Sequence, residues 1–272
     1  MTAGKEEALA ELADAIRASG VADPGCSVVV MVSGGADSAC AAAGAARALG
    51  AEAVHALHLN YRLRAGAPEG EAAARRLCAA LRIDLHLERP ELEPGANVQA
   101  AARDARYDAA ERLRVRTSAD WIITGHTRTD QAETVLYRLA ASPGSRALLG
   151  MPPRRGRIVR PLLGLERQRV RELAAAAGLA FADDETNEDR RFARNRIRAE
   201  VLTVLRELNP GTERNIAETR AELAEEAELL DRVVLEALDA AGAGAGAVAI
   251  DADALARFEP GLRRLALRAR AE

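Results

Sequence analysis

Lysine is almost missing from this chain of 272 residues: Lys5, in the polar segment near the amino end, is the only one. A Walker A loop and a pyridoxal-phosphate site each need a placed lysine, so both are excluded. Basic work falls to arginine, whose planar fork suits phosphates. Cysteine is scarce as well. Cys26, Cys40 and Cys78 are odd in number and show neither CxxC nor His-partnered spacing, which argues against disulfides and against a zinc or iron-sulfur centre. They read as buried small hydrophobes. No apolar run approaches bilayer length, and Met1 to Gly20 is charged and helical in pattern rather than signal-like. A cytoplasmic protein without membrane contact is expected.

Hydrophobic residues make up 49% of the chain, enough for one large α/β domain with a smaller appendage. The formal charge of -3 argues against nonspecific nucleic-acid binding, but it averages over an uneven distribution. Between Pro152 and Arg171 stand seven arginines, Arg154, Arg155, Arg157, Arg160, Arg167, Arg169 and Arg171, against Glu166 alone. Such a stretch tracks phosphates or forms a solvated basic face, and the sequence leaves both readings open. Acidic residues from Glu218 to Asp239 offset it.

The first half alternates apolar β-branched runs with alanine-rich helical stretches, the pattern of a doubly wound α/β fold in which helices cover both faces of a parallel sheet. Strands are expected at Ser27 to Val32, Ala53 to Leu59, Ile83 to Leu87 and Trp121 to Thr124, with a shorter one at Arg157 to Pro161. Helical spacing runs through Ala39 to Leu49, Glu69 to Leu81, Val98 to Arg116 and Thr129 to Ala140. Beyond Pro161 helices take over, at Leu165 to Ala177 and Arg191 to Leu208, until Asn209, Pro210 and Gly211 form a stop. That stop divides the chain into an α/β domain over 1–211 and an all-helical part over 212–272. In the latter a long helix is expected from Glu213 to Leu238, with Ile216, Leu223, Ala227, Leu230, Val234 and Leu238 on its buried face. The AAGAGAGA run from Ala240 to Ala247 reads as a flexible connector.

The sharpest chemical signal is SGGADS, Ser33 to Ser38, which ends a buried strand and runs straight into a helix. Gly34 and Gly35 let backbone N–H groups approach an oxyanion, and the free N–H groups and dipole of the following helix favour negative charge. Ser33 and Ser38 add hydroxyl donors. Asp37 would be repelled by a bare phosphate, so it either holds a magnesium ion or caps the helix.

SGGADS resembles the SGGxDS signature of PP-loop ATP pyrophosphatases, which cleave ATP between the α and β phosphates and pass the adenylyl group to an oxygen. Three further segments narrow the resemblance to the tRNA(Ile)-lysidine synthetase family over roughly Ser27 to Leu208: HLNYRLR (His58 to Arg64), NVQAAARDARY (Asn97 to Tyr107) with TGHTRTDQAETVL (Thr124 to Leu136), and DETNEDRRFARNRIR (Asp184 to Arg198). Cytidine-thiolating relatives look similar but carry CxxC cysteines, which this chain lacks. The chain departs from the family pattern at Tyr61 and Thr127, where histidines are usual, and at Thr129, where an aspartate is usual. The part beyond Gly211 is shorter and more poorly matched than in typical members.

The resemblance implies ATP and Mg2+ as cofactors and two substrates, free L-lysine and the anticodon loop of the minor isoleucine tRNA; a homodimer is left open. It implies nucleotide contacts from Ser33, Gly34, Gly35, Ala36, Asp37, Ser38 and His58, with Asp37 on the metal. Read physically, His126 stands just past a strand end, where open parallel sheets bind ligands, and Asp130 and Glu133 lie one turn apart on the next helix. The two carboxylates bind magnesium or the ammonium groups of lysine, unless Asp130 merely caps the helix and Glu133 is exposed. Arg103 and Arg106 share a helical face suited to phosphates, as an ordinary basic helix would. Asn187, Arg194, Asn195 and Arg198 enter as substrate or RNA contacts through the resemblance alone. His55 and His86 sit in strand patterns as satisfied core residues.

The implied reaction joins lysine to the wobble cytidine through an adenylated intermediate. Two rivals remain open: a PP-loop ligase acting on a small molecule or another tRNA base, which in its amidotransferase form needs an ammonia source that no glutaminase segment supplies here, and a module that senses ATP without turnover.

Overall fold

The computed structural model describes residues 3–61, 67–90, 98–182, 193–241 and 252–271. Six strands form one sheet in the order β3-β2-β1-β4-β6-β5: β1 (Val28–Met31), β2 (Val54–Leu59), β3 (Asp84–Glu88), β4 (Trp121–Ile123), β5 (Arg154–Arg155) and β6 (Ile158–Val159). All pairings are parallel except the terminal β5–β6 pair. The doubly wound reading holds. The two-residue β5 went unforeseen because a strand so short, written in exposed arginines, has no apolar alternation to show.

The helices are α1 (Ala3–Ala18), α2 (Ala36–Leu49), α3 (Ala67–Leu81), α4 (Val98–Thr117), α5 (Arg128–Ala141), α6 (Arg167–Ala176), α7 (Ala193–Arg196), α8 (Leu202–Leu208), α9 (Thr212–Ala240), α10 (Ala252–Ala256) and α11 (Pro260–Ala271). Helices α1, α2, α3 and α6 pack on one face of the sheet around Leu12, Ile16, Val28, Val30, Leu77 and Val170. Helix α4 covers the other, with Leu113 against Val29, Leu57 and Ile122. Helix α2 is sandwiched between sheet and helices, which explains its near-continuous small apolar sequence. A methyl group on Gly44 would lie 2.8 Å from the Leu12 carbonyl, so glycine there sets how closely α1 approaches.

From β1 the chain runs outward to β2 and β3, then crosses back to β4 on the other side of β1. The carboxyl ends of β1 and β4 therefore flank a topological switch point, where such sheets open a crevice. The long helix of the second half, α9, packs against α5, α8 and α11. Val234 and Leu238 are buried as expected beside α11, Ile216, Leu223 and Ala227 are half-buried, and Leu230 is 46% exposed. Most of the connector at 240–247 lies outside the described residues.

Candidate functional site

The loop after β1 is fixed from within. Ser38 accepts a hydrogen bond from the Ser33 amide (3.0 Å) and donates its own proton to the Gly35 carbonyl (2.9 Å). Buried Ser38 thus shapes the loop, while Ser33, its Oγ 3.1 Å from that of Ser38, is the exposed serine. Gly34 has φ +98°, and a methyl group there would lie 2.6 Å from the Gly70 carbonyl. Glycine is therefore required by backbone angle and by the approach of α3. Gly35 caps α2 without a side chain, so Asp37 sits inside the first turn and is not the cap.

The strand-end segment of β4 closes on this loop. A methyl group on Gly125 would meet the Asp37 carbonyl oxygen at 2.6 Å, so TGH lies directly against SGGADS. His126 follows, its Nδ1 2.8 Å from the Thr124 hydroxyl. Burial pushes the His126 pKa down to about 4, with Asp130 opposing and Arg160, Arg103 and Arg194 adding to the shift. It is neutral at physiological pH, so it meets a phosphate as a hydrogen-bond donor and not as a cation. Arg103 and Arg194 supply positive charge nearby, and Arg103 also lies over the Tyr107 ring at 5.7 Å. Arg106 stands exposed on α4.

Thr127 caps α5, and Asp130 completes a capping box by accepting from the Thr127 amide and hydroxyl, each at 2.8 Å. Asp130 is therefore not the cap itself but the partner of Thr127 in the capping box, and its other oxygen accepts from Arg167 Nη2 at 2.6 Å. Glu133 is 1% exposed, which removes the exposed reading. Arg198 grips it with two hydrogen bonds, Nε to Oε1 at 2.5 Å and Nη2 to Oε2 at 3.1 Å. Arg198 belongs to a π-helical turn, Ile197–Val201, between α7 and α8, a local widening common at functional sites. Half-buried Asn195 precedes it, and Arg194 is exposed on α7. Asn187 lies outside the described residues.

Arg167, the first residue of α6, stands between the carboxylates: 2.6 Å from Asp130, 3.3 Å from Asp37 and 3.9 Å from Glu133. Its amide donates to the Thr129 hydroxyl (3.1 Å), so Thr129 ties α6 to α5. Its Nε, the atom nearest Asp37, makes no hydrogen bond. Burial raises the Asp37 pKa to about 6, Arg167 pulling it back and Asp130 pushing it up. Burial also raises that of Glu133, against Arg198. For Asp130 burial acts the same way, but Arg167, His126 and the Thr127 donors outweigh it and the pKa falls. A carboxylate raised by burial, ion-paired but not firmly hydrogen-bonded, is suited to taking a cation.

Across residues 6–205 the sequence matches the PP-loop domain family. The chain belongs to that family. Among curated relatives, the tRNA(Ile)-lysidine synthase of Pseudomonas syringae pv. tomato is 40% identical over 196 residues, covering 70% of this chain and 43% of that protein. The tRNA(Ile)-lysidine synthase of Salinispora arenicola is 41% identical over 227 residues, covering 78% and 66%. The chain thus spans less than half of the first relative and about two thirds of the second. Among solved structures, the U34-tRNA thiolase NcsA from Methanococcus maripaludis superposes with a TM-score of 0.68 at 18% identity, over 81% of this chain and 80% of that one, which shows a shared fold.

Within this PP-loop domain, His58 lies on the other flank of the loop, buried, its Nδ1 2.8 Å from the Val32 carbonyl. Burial lowers its pKa, so it too is a neutral group. The structure brings Asp37, His126, Asp130, Glu133 and Arg198 together and sets His58 and Arg103 around them, while among the described residues no contact ties exposed Arg106 to this group. Sequence reasoning missed Arg167, because it stood in an arginine run treated as a whole, either as a phosphate track or as a solvated basic face. That face does not exist as a unit. Arg154 and Arg157 stack on Trp121, Arg160 is buried and bonds the Pro152 carbonyl, Arg169 pairs with Glu11, and Arg171 lies over Phe181. The apolar runs show none long enough to span a bilayer, and no helix among the described residues is long and apolar enough to do so. Cys40 and Cys78 are buried and Cys26 half-buried, their thiols pushed up by burial to about 12, 11 and 11 respectively.

Proposed function

We propose that this chain carries out ATP-dependent ligation of free lysine to the wobble cytidine of the minor isoleucine tRNA, with AMP and pyrophosphate as the other products. The observation that carries the reading is the packing of Gly125, next to His126, against the Asp37–Ser38 backbone of the SGGADS segment at the switch point, with Asp37, Asp130 and Glu133 gathered around Arg167. The names of the curated relatives support the substrate. The division after Gly211 belongs to the same proposal: 1–211 catalyse, and the helical 212–272 support them.

A cytosine carbonyl oxygen is a poor leaving group until it is esterified. In the first step it attacks the α-phosphate of ATP and pyrophosphate departs; in the second, the lysine amine displaces AMP. The protein's contribution is positioning and charge stabilisation. The loop from Ser33 to Ser38 receives the departing pyrophosphate at the start of α2. Neutral His126 donates to an α-phosphate oxygen, and Arg103 and Arg106 face the developing charge. Asp130 and Glu133, whose oxygens are bonded to Thr127, Arg167 and Arg198, supply the negative charge that draws the ammonium groups of lysine to the crevice, and Arg194, Asn195 and Arg198 line the approach of the tRNA. A magnesium ion held by Asp37 and the triphosphate would neutralise charge on the leaving group. A cytosine in an anticodon loop is single-stranded, so it enters the crevice without breaking a duplex.

Pyrophosphate release measured with tRNA and lysine omitted in turn tests the reading. Release requiring both is expected, with loss in Asp37→Asn. Release that ignores tRNA would point to a small-molecule ligase, and ATP binding without release to a sensor.

A further inference from the structure

The amino ends of β2 and β3 hold a second group of residues that the reaction does not use. His55 is the second residue of β2 and Asp84 the first of β3, and the two stand opposite each other in the parallel register. His86, two residues on, pairs with Leu57. Because side chains alternate along a strand, His55, Asp84 and His86 all project from the same face of the sheet, the α4 side that Leu57 also faces. This is the opposite end of the strands from the loop at Ser33 to Ser38.

Sequence alone suggested satisfied core histidines, and the structure corrects this. His55 Nδ1 and His86 Nε2 are buried without a hydrogen-bond partner. The rings lie 5.9 Å apart, tilted by 53°. One nitrogen from each ring and a carboxylate oxygen of Asp84 fall within 4.8 Å of one another. Ligands on a tetrahedral zinc ion stand about 3.4 Å apart, so a small rotation of the side chains closes the set. Burial lowers the His86 pKa, which keeps the ring neutral and able to ligate; Asp84 and Glu88 oppose the shift, His55 and Arg116 add to it.

We propose that His55, Asp84 and His86 bind a divalent transition metal ion of the zinc, cobalt or nickel type. Two imidazoles and one carboxylate select such ions over magnesium, which prefers oxygen ligands. Three protein ligands leave a coordination position to water. The carboxylate of Asp84 attracts the ion, that of Glu88 is paired with Arg112 at 3.0 Å, and Arg112 and Arg116 are the opposing charges. Since β3 is the edge strand, the ion ties it to β2 and stabilises the folded chain by mass action. The inference is independent of the proposed reaction.

The test is a Co2+ titration of the tag-free, metal-stripped full chain, followed by visible absorption and by the thermal midpoint. A ligand-field band saturating at one equivalent, displaced by Zn2+ and accompanied by a higher midpoint, is expected. His86→Ala should abolish the band, and Asp84→Asn, at an exposed position that folding tolerates, should weaken binding at least about tenfold. Asp37→Asn should leave the titration unchanged. Absence of the band, its survival in Asp84→Asn at full affinity, or its loss in Asp37→Asn would each overturn the proposal.

Discussion

Arg198 chelates the carboxylate of Glu133 through Nε and Nη2, joining the π-helical turn before α8 to the buried face of α5. The pair spans 65 positions of sequence, and the Glu133 side chain is only 2% exposed. Replacing Glu133 by Gln leaves the guanidinium without its anion and should cost about 1–3 kcal/mol, a fall in thermal midpoint of about 3–10 °C. Combining it with Arg198→Met should cost less than the sum of the single changes, with a coupling of about 0.5–3 kcal/mol. Strictly additive midpoints would show that the pair is not coupled.

Arg167 is the shared counter-charge of Asp37, Asp130 and Glu133. It is the main influence holding the Asp37 pKa down against burial. In Arg167→Ala that pKa should climb further above about 6, and Arg167→Lys should fall between, because an ammonium cannot fork to two carboxylates. Carboxyl-carbon NMR of Asp37 measures the shift directly. Pyrophosphate release should fall at least about tenfold in Arg167→Ala. An unmoved Asp37 titration would remove Arg167 from the site.

What could be read in the sequence was local. SGGADS announces its loop because two glycines, two serines and a following helix occur within a few residues, and His126 could be placed because strand ends in parallel sheets open toward ligands. Arg167 could not. Its partners are far away in sequence, and its neighbours Arg169 and Arg171 turn to Glu11 and Phe181. The double duty of Asp130 was equally hidden: its place at the start of the helix suggested a capping role, whereas the bond to Arg167 depends on where α6 is packed. Leu230 failed for a related reason, since periodicity names a face but not how far a partner covers it.

Gly125 tests whether the histidine segment and the nucleotide loop act as one unit. A methyl group there would lie 2.6 Å from the Asp37 carbonyl oxygen and 2.9 Å from the Ser38 amide nitrogen, both backbone atoms that cannot swing aside. Gly125→Ala should cost about 1–3 kcal/mol and displace the loop. ATP affinity should weaken by about tenfold or more in calorimetric titration. Gly164→Ala, with open space around the added carbon, is the control and should bind as the unmodified chain does. Equal affinities in the two variants would separate Gly125 from the nucleotide site.

Asp37 and His126 impose opposite pH dependences on stability, and the sign of each follows from its shift. Asp37 has a folded pKa raised to about 6 from 3.8, so the folded chain holds its proton longer than the unfolded chain does. Its contribution is complete below 3.8 and is lost as pH rises through about 6. His126 has a folded pKa lowered to about 4 from 6.5, so the unfolded chain takes up the proton first; its contribution is present above 6.5 and is lost as pH falls through about 4. Between pH 4 and 6 the two nearly cancel. Urea unfolding at intervals across that window should therefore show the balance breaking in opposite directions. Asp37→Asn should steepen the rise of stability with pH by up to about 1.4 kcal/mol per pH unit, and His126→Asn should tilt it the other way by a similar amount. Slopes that stay parallel in all three chains would mean that neither group is perturbed as its burial dictates.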